Sequence, residues 1–420
     1  MKKLICIFLV VAISFAFAAC KTNDTPASDN PASDNPASDN PASDNPAADA
    51  PAAQTKDEML RAIIGDEVGI YPEFYALVGG DVGYITDDVD HHARETYDLA
   101  LIGTSSNAAT TNTYNGFVQF SNYFNFNIEQ AYSDGDNDRY VTLMETYALQ
   151  GKDGFVLSPD NNVFERIKEV ADELEVPYIF VLTPYYSEDG KNLVPCVGED
   201  DGNDGRIVMN WLLDNYQDRL GDIDLDKVGV MGIQYSVVYA FQQRVQSSFD
   251  VWRELYPDRE DQLYVVDTAA QDNPISQEAA YNEVTAMISA HPEVEYWIIS
   301  SAAGLFANGA ARACESLGVD DNVIMCSIGI EELINEWNAG YDGCWAACVS
   351  TKPNIYSMPM IAGTLALIDG RATPETLWEE VRAPGDPTTY FIVDVTVITK
   401  DSYIDYTNAC DVLAAKFTIE

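Results

Sequence analysis

The sequence predicts an α/β protein built from two similar lobes, each a doubly wound parallel sheet. Short apolar strands alternate with amphipathic helices from Leu99 to Leu182, and the same alternation restarts at Lys227 and continues to Ile328. Strands and helices that alternate in this way form parallel sheets with helices on both faces. About 360 residues follow the repetitive N-terminal region, which is too many for a single compact core. Two lobes are therefore expected.

In the first run, the apolar stretches predict four strands and the residues between them predict three helices. The predicted strands are Leu99–Ile102, Phe126–Glu129, Gly154–Leu157 and Pro177–Leu182, and the helices contain Phe117 to Phe124, Leu143 to Leu149 and Phe164 to Leu174. Phe117, Phe120 and Phe124 recur at helical spacing and are expected in the core. The aspartates at 134, 136 and 138 lack the glycine and the closing glutamate of an EF-hand. We therefore expect a turn and a helix N-cap there.

The second run repeats the pattern. Its predicted strands are Lys227–Met231, Leu263–Val266, Tyr296–Ile299 and Asn322–Ile328, and its helices run over Tyr239–Leu255, Ser276–Ser289 and Gly309–Leu317. In sheets of this kind, ligands bind beyond the C-terminal ends of the strands. The polar residues that follow the strands are therefore the candidate site residues.

The N-terminus has the pattern of a secretory signal. Lys2 and Lys3 precede an apolar run from Leu4 to Phe17, and small residues lead to Cys20. The run is too short and wrongly flanked for a permanent membrane span. It resembles a bacterial lipobox, which predicts a signal peptide over 1–19 and an acyl chain such as palmitate on Cys20. An ordinary secretory signal with an incidental cysteine is the alternative.

A tether-like segment is predicted over 20–55. The unit Pro-Ala-Ser-Asp-Asn occurs four times from Pro26, without aromatic or branched aliphatic residues, so this segment cannot form a core. It is expected to be a solvated spacer that holds the folded body away from a lipid surface. Residues 56–96 form an N-terminal extension to which the sequence assigns no function.

The composition excludes several classes of function. The chain has 23 basic and 68 acidic residues, which give a formal charge of −45, and it should therefore repel nucleic acid and anionic membrane.

The residues that could hold a metal or form an active site show no recognised pattern. The eight cysteines lack the spacing of a zinc site, and those in apolar runs are expected to be buried free thiols, although disulfides remain open. The neighbouring His91 and His92 point to opposite sides of an extended chain, which disfavours a metal site. No nucleophile elbow, P-loop or zinc-protease motif is present. We expect a non-enzymatic protein without a cofactor or metal.

A series of short motifs resembles the type I periplasmic binding proteins of the ribose/galactose-binding kind. The motifs occur in the family's order over about residues 97–405. They are Gly151-Lys-Asp-Gly-Phe-Val-Leu-Ser-Pro-Asp160, Val176-Pro177-Tyr-Ile, Val197-Gly198-Glu-Asp200…Gly205, His291-Pro292-Glu-Val-Glu-Tyr, Asn308-Gly309-Ala310, Ser327-Ile-Gly329-Ile-Glu331, Thr351-Lys352-Pro353 and Gly363…Leu367-Ile-Asp-Gly370. The resemblance implies two lobes joined by a three-strand hinge. Lobe 1 would comprise 97–210 plus 353–388, and lobe 2 would comprise 211–352 plus 389–420.

The resemblance also implies a ligand site. Carried over position by position, the candidates are Ser105, Ser106, Asn107, Thr183, Tyr185, Tyr235, Arg244, Asn273, Ser301, Glu331 and Thr351. The family's charged Asp-Arg and Asn-Asp clamps are replaced here by Leu182-Thr183 and Ala302-Ala303-Gly304. The candidate site residues therefore offer mainly hydroxyl and amide groups and one carboxylate. These groups form hydrogen bonds with a neutral ligand.

The function implied is that of an extracytoplasmic, membrane-anchored solute-binding lipoprotein that acts as a monomer. It would capture a neutral monosaccharide, or a related polyol or nucleoside, and deliver it to an ABC permease. A ligand sensor of the same fold that signals to a membrane receptor is an alternative. A binding protein for amino acids or peptides is another. A surface hydrolase is disfavoured, because 68 acidic residues guarantee carboxylate pairs without indicating an active site.

Overall fold

The computed structural model describes residues 54–78, 85, 89–106, 108–350 and 352–419. The predicted signal peptide, Cys20 and almost all of the repeat spacer lie outside the described residues, as do Asn107 and Thr351. Within the described part of the chain, no helix is both long and apolar enough to cross a membrane.

The first sheet has six strands, namely β1 (Tyr97–Gly103), β2 (Phe126–Tyr132), β3 (Gly154–Ser158), β4 (Tyr178–Leu182), β5 (Cys196–Gly198) and β11 (Tyr390–Ile392). Their order across the sheet is β11-β5-β4-β3-β1-β2, and all the pairings are parallel. The helices that cover it are α2 (Ala108–Phe120), α3 (Asn137–Leu149), α4 (Phe164–Leu174) and α10 (Pro353–Ile368). The central strands are buried on both faces, which explains their nearly continuous apolar sequence.

The second sheet also has six strands, namely β6 (Val228–Gln234), β7 (Leu263–Asp267), β8 (Tyr296–Ser301), β9 (Val323–Ile328), β10 (Trp345–Ser350) and β12 (Thr396–Thr399). Their order across the sheet is β12-β10-β9-β8-β6-β7. Only β12 runs antiparallel to its neighbour. The helices of this lobe are α5 (Asp201–Leu220), α6 (Tyr239–Leu255), α7 (Gln277–Ala290), α8 (Gly304–Leu317) and α9 (Glu331–Asn338).

The two parallel-sheet lobes confirm the predicted fold class. The predicted core is also confirmed, because Phe117, Phe120 and Phe124 are fully buried. The six cysteines from Cys196 to Cys410 are buried free thiols. The Asp136 carboxylate caps α3 by accepting hydrogen bonds from the amides of Asp138 and Arg139, as expected for a turn and N-cap.

Along the described residues, the chain crosses between the lobes three times, and two of these crossings differ from the predicted boundaries. The first follows Gly198 rather than residue 210, because α5 packs on α6 and on β9 of the second sheet. The second lies between β10 and α10. The third follows Ile392 rather than residue 388, because β11 pairs with β5. Each crossing leaves from the C-terminal end of a strand.

The N-terminal extension packs on the body near the third crossing. It contains α1 (Lys56–Ile64), which contacts the C-terminal helix α11 (Tyr403–Lys416), and a 3₁₀ helix (Pro72–Leu77), which contacts α10. Phe74 and Leu77 are fully buried, as is the carboxylate residue Glu73. The Thr396 hydroxyl, at the start of β12, donates a hydrogen bond to the Glu73 carboxylate. The extension is thus attached to a strand that follows a crossing.

Candidate functional site

Polar residues of the first lobe lie at the C-terminal edge of its sheet. Ser105 and Ser106 follow β1 and are exposed, and Thr183 follows β4 and is half-buried. Parallel strands present their C-terminal ends at one edge, so these residues share an edge with Glu199, which follows β5. Leu182 has a φ of +74°, in the left-handed region that leucine rarely adopts. Backbone strain of this kind is concentrated at ligand sites in proteins.

The corresponding edge of the second lobe carries Tyr235 after β6, Asn273 in the loop before α7, and Glu331 at the start of α9. Asn273 is exposed, whereas Tyr235 is half-buried and packs against the core. Gly329, between β9 and α9, has a φ of +98°, which favours glycine at the turn that presents Glu331.

Two adjacent glutamates at this turn have different environments. A Cβ atom added to Gly304 would lie 2.5 Å from Glu332 Oε2, so the Glu332 carboxylate lies against the first residue of α8. A carboxylate at a helix N-terminus is stabilised by the helix dipole. Glu331 instead lines a cavity, and burial, with smaller contributions from the carboxylates of Glu332 and Glu199, raises the pKa of Glu331.

The cavity beside Glu331 has a volume of about 380 Å³ and is lined by both lobes. The first lobe contributes one face of α2 and the start of α10, and the second lobe contributes α9. Five of the lining side chains are amides, namely Asn112, Asn115, Gln119, Asn335 and Asn354. Lys352 is the cation among the described lining residues, and its ammonium group lies 3.0 Å from the Asp411 carboxylate. Amides both donate and accept hydrogen bonds, so the lining suits hydroxyl groups.

The amides of α2 were missed by the sequence reasoning. Asn112, Asn115 and Gln119 stand three and four residues apart, a spacing that places them on one helix face. That amide stripe was visible in the sequence. The aromatic residues Phe117 and Phe120 of the same helix face the core instead.

Three predicted ligand residues have other partners in the structure. The Tyr185 ring packs edge-on against Phe164 at 5.5 Å and contributes to the lobe 1 core. Ser301 is 1% exposed, and its hydroxyl donates to the Ala303 carbonyl at 2.9 Å. Ser301 is therefore covered in this conformation, whereas Tyr185 remains half-buried.

Arg244 is the third, and its guanidinium is held at the first crossing. It donates hydrogen bonds to Asp201 at 2.7 Å, to Glu199 at 3.0 Å and to the Ala302 carbonyl at 3.1 Å. Asp204 lies in the same cluster and is 1% exposed. Burial, together with the neighbouring carboxylate of Glu199, raises the pKa of Asp204. Arg244 therefore links the second lobe to the segment that enters it from the first.

Two parallel-sheet lobes, three crossings and a polar cavity lined by both lobes define a bilobal binding protein. Comparison with known families agrees. The family described as periplasmic binding proteins and sugar-binding domains of the LacI family matches residues 112–334, and the chain belongs to this family.

Individual relatives are distant in sequence and similar in fold. The chain is 23% identical over 274 residues to the L-arabinose-binding periplasmic protein of Escherichia coli (strain K12), covering 64% of this chain and 77% of that one. The 5-methylthioribose transporter solute-binding protein of Thermotoga lettingae TMO has a TM-score of 0.58 at 16% identity, covering 75% of this chain and 93% of that one. A D-allose-bound solute-binding protein of Actinobacillus succinogenes 130z has a TM-score of 0.57 at 19% identity, covering 74% and 100%. These relatives are described as binding or transport proteins.

Proposed function

We propose that this protein is an extracytoplasmic solute-binding lipoprotein that captures a neutral monosaccharide, or a related polyol or nucleoside, for an ABC importer. The observation that carries the proposal is the amide-lined cavity beside Glu331, to which both lobes contribute. A ligand in this cavity contacts both lobes at once.

The chemistry of the cavity supports a neutral polyhydroxyl ligand. Amide groups can satisfy hydroxyl groups as donors or acceptors, and the Glu331 carboxylate can accept hydrogen bonds from hydroxyl protons. An anionic ligand is disfavoured, because Arg244 and Lys352 are both paired with carboxylates. The relatives are described with L-arabinose, 5-methylthioribose and D-allose, all of which are neutral polyhydroxyl compounds.

Further ligand contacts are proposed from the strand ends. Ser105, Ser106 and Thr183 of lobe 1 and Tyr235 and Asn273 of lobe 2 follow strands of the two sheets. Asn107 and Thr351 belong to the same proposed set. These residues would meet the ligand when the lobes close about the three crossings. Because the closed form makes more ligand contacts than the open form, ligand shifts the equilibrium toward closure.

The proposed mode of action involves binding without covalent chemistry. A permease in the membrane would recognise the closed, ligand-bound monomer. An acyl chain on Cys20 would anchor the protein, and the repeat spacer would hold the lobes away from the lipid. The periplasmic relative supports an extracytoplasmic location.

The proposal is tested by calorimetric titration of the purified protein with sugars, polyols, nucleosides and amino acids. We expect one saturable site for a sugar, polyol or nucleoside, and compaction in small-angle scattering when it is filled. Glu331→Gln should weaken that site about 10- to 100-fold, because a charge-assisted hydrogen bond contributes about 1.5–3 kcal/mol. Glu145→Gln is the matched control, since Glu145 is exposed on α3. Saturable binding of amino acids alone would refute the ligand class, and an unchanged affinity in Glu331→Gln would refute the site.

A further inference from the structure

Two buried cysteines of the second lobe lie against each other. Cys314 belongs to α8, Cys344 directly precedes β10, and both side chains are fully buried in the same core. The Cys344 thiol forms a hydrogen bond with the Cys314 thiol, and this contact, followed by burial, raises the pKa of Cys344. The two sulfur atoms therefore face each other where α8 packs on the second sheet.

The backbone around each cysteine is held by the same short segment of the chain. The Val319 amide donates a hydrogen bond to the Cys314 carbonyl at 3.0 Å, and the Cys344 amide donates to the Asp320 carboxylate at 2.9 Å. The Cys344 carbonyl also accepts a hydrogen bond from the Met325 amide at 2.8 Å. These contacts keep the two cysteines adjacent independently of the bond between their thiols.

A second pair of cysteines is close in the sheet but wrongly oriented. Cys326 of β9 and Cys348 of β10 lie on neighbouring strands, and Cys326 pairs with Ala347. Because successive side chains of a strand point to opposite faces, Cys326 packs in the core below α5 and α6, whereas Cys348 packs in the core below α7 and α8. Cysteines whose Cβ atoms point apart cannot be joined without movement of the backbone.

We propose that Cys314 and Cys344 form a disulfide bond when the protein folds in the presence of a disulfide oxidant. The two thiols lose their protons and two electrons as the sulfur–sulfur bond forms, and the disulfide of the oxidant takes up both and is reduced to two thiols. The thiolate is the reacting form, and burial together with the raised pKa of Cys344 makes the folded pair poorly reactive. The bond therefore forms while the lobe is still folding.

The bond would close a loop that contains β9 and α9. The two cysteines are thirty positions apart, and α9 carries Glu331, which lines the proposed solute cavity. A cross-link over a loop of this length stabilises a protein mainly by restricting its unfolded chain. Disulfides persist outside the cytoplasm, so formation of the bond in the cell rests on the proposed extracytoplasmic location. The reaction of the purified protein does not.

The test is to unfold the reduced protein in urea and to refold it by dilution into reduced and oxidised glutathione. Free thiols are then alkylated, and the protein is digested without reduction by proteases that cleave after glutamate and after aromatic residues. Cleavage after Glu315, Glu331 and Trp345 places the four cysteines between 314 and 348 on separate peptides. Mass spectrometry should find the peptides of Cys314 and Cys344 linked to each other as the main cross-linked product.

Variants at single cysteines identify the partners. Cys314→Ala should abolish the product, and Cys344→Ala should do the same if Cys314→Ala fails to fold. Cys326→Ala, at another fully buried cysteine, is the matched control and should leave the product unchanged.

Three results would overturn the proposal. The first is the absence of a Cys314–Cys344 product from the refolded wild-type protein, and the second is an equal yield of a Cys326–Cys348 product. The third is an equal yield of the Cys314–Cys344 product when the protein is oxidised in urea, where no fold positions the thiols. None of these results would affect the proposed solute function, since no solute is present during refolding.

Discussion

Glu73 provides the sharpest test of how the N-terminal extension is held. Its side chain is fully buried, its Oε2 atom accepts a hydrogen bond from Thr396, and its Oε1 atom has no partner among the described residues. Burial raises the pKa of Glu73 to about 7, although the hydrogen bond from Thr396 opposes the rise. The titratable groups that face it are Tyr71, Asp394, Tyr406 and Cys410.

Because the pKa of Glu73 is raised, the contribution of this residue to the free energy of unfolding depends on pH. A carboxyl group whose pKa is higher in the folded state binds its proton more tightly when folded. Its contribution to stability is therefore fully present below about pH 4.5 and is lost as the pH rises toward 7. The change from 4.5 to about 7 corresponds to about 3 kcal/mol. Glu73→Gln removes the titration and keeps the shape of the side chain.

We expect Glu73→Gln to gain stability relative to the wild-type protein as the pH is raised. The difference in the free energy of unfolding should grow by about 2 kcal/mol between pH 5 and pH 8. Urea titrations followed by tryptophan fluorescence at several pH values measure this difference. Glu67→Gln, a change at an exposed position in the same extension, is the matched control. If the Glu73→Gln difference is constant from pH 5 to pH 8, the reasoning about burial is wrong.

Two further predictions concern helix packing and the membrane anchor. Gly205→Ala should destabilise the protein by about 1–3 kcal/mol in urea unfolding, because the added Cβ would lie 2.0 Å from the Arg244 carbonyl oxygen of the packed helix α6. Gly202→Ala on the same helix is the control, since its nearest neighbour would lie 3.5 Å away, and equal losses for both changes would contradict this account. Cys20→Ser should abolish acylation, which mass spectrometry of the mature N-terminus and membrane fractionation would measure; an unacylated Cys20 in the wild-type protein would refute the anchor.

The fold could be predicted because its signals are local. Except for the more polar β2, the strands from β1 to β4 and from β6 to β9 contain apolar runs of the right length, and their alternation with helices dictates parallel sheets. Helix α5 was not predicted as an element, because it begins with the polar sequence Asp201-Gly-Asn-Asp-Gly205. The first crossing lies before α5 because α5 packs on the second sheet, and the third crossing follows β11 because β11 pairs with β5. Both positions are set by tertiary contacts, which the local sequence does not encode.

The candidate site was less predictable, because the partners of a charged side chain are set by the fold. Arg244 was expected to contact the ligand, yet Glu199 and Asp201 reach it from a segment more than forty residues earlier in the chain. The sequence motif assigned Glu331 to the ligand site, and Glu331 lines the cavity to which both lobes contribute. The α2 amides could have been predicted, because helical spacing alone places them on one face.

The pairing of β11 with β5 bears on the order in which the protein can fold. Tyr390 pairs with Cys196, and α10 covers the first sheet, so the first lobe is incomplete until the ribosome has made nearly the whole chain. Contacts between such distant segments form slowly, because the loop-closure entropy must be overcome before the contacts stabilise the structure. The same topology means that a fragment ending at Gly198 lacks both an edge strand and a covering helix of its own lobe.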